Sequence, residues 1–207
     1  SLKGKNVDLL INLSASPYYR GKLSDRIDVL AETAQTLNTQ MLYCNMVGGQ
    51  DELVFDGASM VFGCDGKRLA QAKQFEEDIL YFDAVRLTDH SPRNESPLPD
   101  LEEVYAALKL GLKDYVEKIG FQRVVVALSG GIDSALVLAI AVDALGKERV
   151  AAVTMPSQYS SDGTLGDAGK MAEMLGVEFH TLPIKQLFAE FENELSASWG
   201  DEKQHGL

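Results

Sequence analysis

The chain has 207 residues, 45% of them hydrophobic, with 31 acidic against 19 basic side chains and a formal net charge of −12. That acidity disfavours nucleic acid or an anionic membrane as partner, because binding to either leans on Lys and Arg. No apolar run reaches the about 18 residues of a bilayer-spanning helix, no signal-peptide pattern is read, and two cysteines without metal-ligand spacing fit a reducing cytoplasm better than a disulfide framework.

Val7 to Leu13 reads as a strand, and Ser24 to Leu37 sets Ile27, Leu30, Ala31, Ala34 and Leu37 on one face of a helix. Met41 to Val47, Leu53 to Val61 and Gln74 to Val85 read as further strands, joined at Gly48-Gly49 and Asp65-Gly66 turns. Cys44 falls in an apolar strand-like run and Cys64 in a Gly-x-Asp-Gly turn. Both read as packing residues, since an activated thiol needs an electropositive and accessible setting. The acidic run Glu76-Glu77-Asp78 reads as a solvated strand edge. His90, His180 and His205 fall in a linker, a strand end and a tail, too scattered to suggest a metal site or a catalytic triad.

Between Arg86 and Asp100 the composition shifts to Thr, Asp, Ser and Asn with three prolines, which continue neither a helix nor a central strand. Asp100 then reads as the cap of a helix running to about Ile119. From there strands and helices alternate, with strands at 124–128, 149–155 and 177–181 and helices at 133–145 and 162–175. That alternation predicts a parallel sheet with ligand at the carboxyl ends of its strands. Glu190 to Gln204 is too polar to assign beyond a helix end and a tail.

One of those strand ends carries the most specific motif, Val124-Val-Val-Ala-Leu-Ser-Gly-Gly-Ile-Asp-Ser-Ala135. Gly130 and Gly131 let the backbone approach a ligand closely and adopt positive φ, so successive N–H groups can converge on phosphate oxygens. The helix that follows turns its positive end to the same anion. Ser129 and Ser134 can add hydroxyl donors. Asp133, an anion beside a phosphate, calls for a cation, and Mg²⁺ with its preference for oxygen ligands suits it. The pattern is not the commoner P-loop, because no lysine follows the turn.

Ser-Gly-Gly-x-Asp-Ser resembles the signature of the pyrophosphatase-loop ATP enzymes, which split ATP between its α and β phosphates. Met155-Pro-Ser-Gln-Tyr-Ser-Ser161 is similar to the segment that follows this loop in NAD synthetases. Leu9-Leu-Ile-Asn-Leu-Ser-Ala-Ser-Pro-Tyr-Tyr-Arg-Gly-Lys22 and Met41-Leu-Tyr-Cys-Asn-Met-Val-Gly-Gly-Gln-Asp-Glu-Leu-Val-Phe-Asp-Gly-Ala-Ser59 resemble the later half of a nitrilase-type glutaminase domain. Both groups in this order resemble the glutamine-dependent NAD synthetases across nearly the whole chain.

The resemblance implies an α/β architecture: the C-terminal part of a nitrilase-like α/β sandwich over 1–85, a linker over 86–100, and a parallel-sheet, Rossmann-type pyrophosphatase-loop domain over 101–207. It implies ATP at Ala127, Leu128, Ser129, Gly130, Gly131, Ile132, Asp133 and Ser134, Mg²⁺ at Asp133, and glutamine at Ser16 and Lys22. The implied reaction is amidation of deamido-NAD to NAD through an adenylated carboxylate, with ammonia from glutamine, in a cytoplasmic homo-oligomer. The amidase Glu, Lys and Cys are expected upstream of Ser1, so neither Cys44 nor Cys64 is the nucleophile, and a Glu-Asn-x-x-x-Arg-x-Arg segment is expected beyond Leu207. The chain thus reads as a piece of a longer enzyme, inactive by itself. Another amidating or thiolating pyrophosphatase-loop enzyme would share Ser129 to Ser134 but would not be preceded by the nitrilase-like segment, and an inactive folding unit remains a further alternative.

Overall fold

The structure is a computed structural model and describes residues 7–83, 95–157 and 162–199. The chain forms two compact units, Ser1–Gly120 and Phe121–Leu207.

The first unit is built on a four-stranded sheet of order β1-β2-β5-β6, from β1 (Leu9–Ser14), β2 (Gln40–Asn45), β5 (Met60–Phe62) and β6 (Arg68–Gln71). β1 and β2 run parallel because α1 (Lys22–Leu37) carries the chain back between them, and the other pairs are antiparallel. Helix α1 buries Leu23, Leu30 and Ala34 against Met41, Tyr43, Met60 and Phe62, with Leu10, Ile27 and Ala31 at the margin. Asn38 closes the helix in the left-handed conformation at φ 48°, with its N–H returned to the last turn. A separate hairpin pairs β3 (Val47–Gln50) with β4 (Leu53–Asp56). Against it lies α2 (Asp100–Ile119), where the absence of side chains at Gly49 and Gly111 permits close approach: a Cβ on Gly49 would stand 3.2 Å from the Gly111 Cα. Asp114 accepts the Gly49 N–H at 2.7 Å, and Lys118 donates to the Gly49 carbonyl.

The second unit is a three-stranded parallel sheet of order β7-β8-β9, from β7 (Val124–Ala127), β8 (Val150–Thr154) and β9 (Glu178–Thr181). Helices α3 (Ile132–Leu145), α4 (Asp162–Leu175) and α5 (Lys185–Trp199) follow the three strands in turn. This is the alternating α/β order that the sequence predicts, with a parallel sheet whose first strand runs into the glycine turn.

Several expectations are corrected. The single strand over Leu53 to Val61 is two strands in different sheets, because Gly57 (φ 65°) and Ala58 (φ 50°) bend the chain between β4 and β5. No strand forms over Gln74 to Asp83. Phe75 is left-handed at φ 57° and only a lone bridge joins Gly57 to Gln74, while residues 84–85 lie outside the described residues. Glu76 to Asp78 is accordingly a turn rather than a strand edge, with Glu76 paired to Lys73 at 2.8 Å and Asp78 accepting the Lys73 N–H. Asp100 does not cap α2: Pro99 holds the cap position without a side-chain bond, and Asp100 pairs with Arg20. Cys44 and Cys64 are exposed and do not pack. Cys44 alternates out of the sheet with the exposed Ile11 and Leu13, while its neighbours Tyr43 and Asn45 point inward. Residues 185–199 form one helix, longer than the helix end expected at Glu190 to Gln204, and residues 200–204 lie outside the described residues. The linker at 86–94, His90, Tyr159 to Ser161 and His205 lie outside the described residues.

Candidate functional site

Two loops carry the residues of interest, one in each unit. In the second unit, Leu128 continues the sheet by donating its N–H to the Val153 carbonyl at 2.8 Å, and its side chain is buried, which anchors the turn. Gly130 follows at φ 85°, a conformation that costs any residue bearing a Cβ. Gly131 returns to extended backbone as the N-cap of α3, with no side chain capping the helix.

The two serines fasten this turn from within. The Ser129 N–H donates to Ser134 Oγ at 3.2 Å, the Gly131 N–H to Ser129 Oγ at 3.2 Å, and Ser134 Oγ to the Gly131 carbonyl at 3.0 Å. The two hydroxyls are 3.0 Å apart, and every contact is satisfied together when Ser129 Oγ donates to Ser134 Oγ. The hydroxyls are therefore occupied in shaping the loop. What the loop offers outward is the start of α3, whose first internal bond runs from the Ala135 N–H to the Gly131 carbonyl. The amides of Ile132, Asp133 and Ser134 precede that bond and lie at the positive end of a 14-residue helix. Ile132 and Asp133 are exposed. This arrangement can take an anion on backbone N–H groups.

No group of three or more His, Cys, Asp or Glu side chains that could together hold a metal ion is found among the described residues. A cation here would have Asp133 as its protein carboxylate and take its other oxygens from a phosphate ligand and water. That donor set fits Mg²⁺, which keeps several waters and binds through one or two carboxylates plus phosphate.

The second loop leaves β1 at Ser14 and enters α1 at Gly21, which is left-handed at φ 87°. Its backbone is held along its length. The Met46 N–H donates to the Ser14 carbonyl at 2.9 Å, the Ser16 N–H to Asn45 Oδ1 at 3.0 Å, and the Tyr18 N–H to the Val54 carbonyl at 2.7 Å. Lys22 Nζ donates to the Pro17 carbonyl at 2.5 Å and lies 5.0 Å from the Tyr19 ring centre, so the ammonium folds back over the loop. Ser16 and Lys22 are both half-buried, Ser16 on this loop and Lys22 as the first residue of α1.

Tyr18 and Arg20 tie the same loop to α2. Tyr18 stands edge-on to Phe75 with centroids 5.2 Å apart and points its hydroxyl at Glu103 Oε2, 3.4 Å away. The other Glu103 oxygen accepts from Gln74 Nε2 at 3.0 Å, and Arg20 forks onto Asp100, whose carboxyl is thereby held below the usual range. Burial, with the Glu103 carboxylate beside it, pushes the Tyr18 phenol up to about 12 from its ordinary 10.0. Because the folded protein then holds this proton more tightly than the unfolded chain, the associated stability is present below pH 10 and is lost as the pH rises towards 12. Unfolding titrations should therefore show a steeper alkaline loss of stability in the native sequence than in Tyr18→Phe; parallel curves would show that Tyr18 ionises as it does in water.

Reading the sequence alone misses the polar group beneath this loop, Arg26, Asn45 and Asp56. One signal was present: Arg26 shares a helical face with Leu23, Leu30 and Ala34, where a charge must be paired to be buried.

The carbon-nitrogen hydrolase family model matches residues 1–87 and the NAD synthase family model residues 104–205. The chain is 44% identical to the glutamine-dependent NAD(+) synthetase of Aquifex aeolicus over 90% of its own length and 42% identical to that of Thermotoga maritima over 91%, covering 39% and 38% of those proteins. It superposes with a TM-score of 0.91 on the structure of glutamine-dependent NAD+ synthetase from Acinetobacter baumannii in complex with ADP, at 41% identity, covering 99% of this chain and 39% of that one. A further structure, from Cytophaga hutchinsonii, shares the fold with a TM-score of 0.80 at 19% identity. The chain thus spans about two fifths of the length of the relatives it matches.

Proposed function

The chain belongs to the glutamine-dependent NAD synthetase family, and from that membership we propose that it supplies the ATP-binding loop and part of the glutamine site of an enzyme converting deamido-NAD to NAD. In this reading residues 1–85 belong to the glutaminase part, 86–100 to a linker, and 101–207 to the synthetase part.

The observation that carries the reading is the Ser129–Ser134 turn, fastened internally by its serines and opening onto the first-turn amides of α3. A carboxylate is a poor electrophile and must be activated before ammonia can displace an oxygen from it. The nicotinate carboxylate oxygen attacks the α-phosphorus of ATP, the bond from that phosphorus to the bridging oxygen breaks, and pyrophosphate leaves. The amides of Ile132, Asp133 and Ser134 and the dipole of α3 meet the charge that grows on the leaving oxygens, which preorganised donors stabilise without reorganising. Asp133 would hold Mg²⁺, which when bound offsets phosphate charge as a Lewis acid. Ammonia then attacks the acyl carbon, AMP leaves with the bridging oxygen, and loss of a proton gives the amide.

Ser16 and Lys22 are assigned to glutamine. A hydroxyl can accept from its α-ammonium and an ammonium can pair with its α-carboxylate. In a protein of the relatives' full length carrying this chain, Lys22→Ala should raise the glutamine KM by about tenfold, as for loss of a charged hydrogen bond, with ammonium-supported NAD formation unchanged. Equal losses with both nitrogen donors would show Lys22 to be structural.

A further inference from the structure

Beneath the loop that bears Ser16 lies a buried polar network that contributes no atom to ATP chemistry. Arg26, Tyr43, Asn45 and Asp56 are all nine-tenths or more buried, and Asp56 is fully so. Asp56 accepts from both terminal nitrogens of Arg26, at 3.0 and 2.8 Å, and the guanidinium lies 5.6 Å from the Tyr43 ring centre. Asn45 joins this pair to the surface loop. Its Nδ2 donates to Asp56 Oδ1 at 3.2 Å and to the Gly57 carbonyl at 3.0 Å, while its Oδ1 accepts from the Tyr43 hydroxyl at 3.2 Å and from the Ser16 N–H at 3.0 Å.

An amide side chain has two donor hydrogens and two acceptor lone pairs, and here all four are used. Its orientation is consequently forced: turned over, Asn45 would set its carbonyl oxygen against the Asp56 carboxylate and its amino group against the Ser16 N–H. The Arg26 and Asp56 charges, on α1 and at the end of β4, thus fix which atom of Asn45 faces Ser16. Stability alone does not call for such a device, since well-packed hydrophobic side chains do as well as a buried ion pair or better. A network that ends on the backbone of a ligand-bearing loop is suited to placement.

We propose that Asn45 is a positioning residue for glutamine: held by Asp56 and Arg26, it fixes the Ser16 amide and with it the register of the Ser16–Lys22 loop. This rests on the assignment of Ser16 and Lys22 to glutamine.

The test measures NAD formation by the full-length protein with glutamine or ammonium as nitrogen donor, for Asn45→Ala and for the milder Tyr43→Phe, which removes one of the two bonds on Asn45 Oδ1. Asn45→Ala should raise the glutamine KM about tenfold and Tyr43→Phe about twofold, the scale of lost buried hydrogen bonds, while glutamine kcat and the ammonium-supported rate stay within about twofold of the native values. Parallel loss with both donors would make the network merely structural and overturn the proposal, as would an unchanged glutamine KM in both variants. If Asn45→Ala does not fold, Tyr43→Phe decides by the same criterion. Lys22→Ala in the same assay separates the two levels. A raised glutamine KM there, with no effect of Asn45→Ala or Tyr43→Phe, defeats the positioning role alone. An unchanged KM in Lys22→Ala defeats the glutamine assignment and the positioning role with it.

Discussion

Asp133→Asn is expected to lower ATP-dependent adenylation by about two to three orders of magnitude, the size seen when one preorganised charge-stabilising group is lost, while leaving the fold in place. The two halves of that expectation come from the same geometry. Asp133 stands exposed in the first turn of α3 and has no hydrogen-bond or ion-pair partner among the described residues, so its removal breaks no internal contact. The structural cost is confined to a carboxylate at a helix N-terminus, worth about 0.3–1 kcal/mol at the surface. The catalytic cost is larger, because Asn keeps the shape and loses the charge that a hard cation requires. Release of AMP in a single turnover, measured over a range of Mg²⁺ concentrations beside a thermal unfolding curve, checks both halves. A near-native rate would remove Asp133 from the metal site, and a collapsed melting curve would assign it a structural role.

Arg26→Ala is expected to have the largest effect on stability, about 3–5 kcal/mol, because it strands the Asp56 carboxylate where no water reaches it. Both side chains of the pair are at most 5% exposed, and Asp56 has Asn45 as its other named donor. Arg26 itself is imperfectly satisfied, with its Nε lacking a hydrogen-bond partner among the described residues, so the pair is not an optimised source of stability. A double replacement, Arg26→Met with Asp56→Leu, should for that reason recover much of the loss in chemical unfolding, since neither charge then remains buried. A single substitution costing less than about 1 kcal/mol, the range of an exposed pair, would mean that water enters the site. The double variant also distinguishes stability from placement: it should regain stability without regaining glutamine affinity, because Asn45 would no longer be oriented.

What was legible in the sequence was what is local. The β7 strand, the Ser129–Ser134 turn and α3 are contiguous, and their pattern of apolar run, paired glycines and helical periodicity describes the folded object directly. The parallel sheet of the second unit followed from strand-helix alternation for the same reason. The first unit was less readable. β6 is only four residues long, begins with Arg68 and ends with Gln71, and is a strand because β5 pairs with it. The division between β4 and β5 depends on left-handed Ala58, a residue type with no local preference for that conformation. Cys44 looked like core because its strand is apolar on both faces; which face α1 covers is set by long-range packing.

The candidate glutamine loop shows the same limit. Ser16 and Lys22 could be marked from the sequence by resemblance, but their support comes from residues remote along the chain: Asn45, Asp56, and through Tyr18 and Arg20 also Glu103 and Asp100. No periodicity joins positions so far apart. The one local trace was Arg26 on the buried face of α1, a charge whose partner only the fold could name.

The central claim is tested most directly by giving the full-length protein deamido-NAD, ATP and Mg²⁺, with glutamine or with ammonium, and following NAD and AMP together. The account predicts NAD and AMP in equal amounts with either donor. ATP binding without NAD or AMP from either donor would contradict it, leaving the loop as a nucleotide site whose substrate is something other than deamido-NAD.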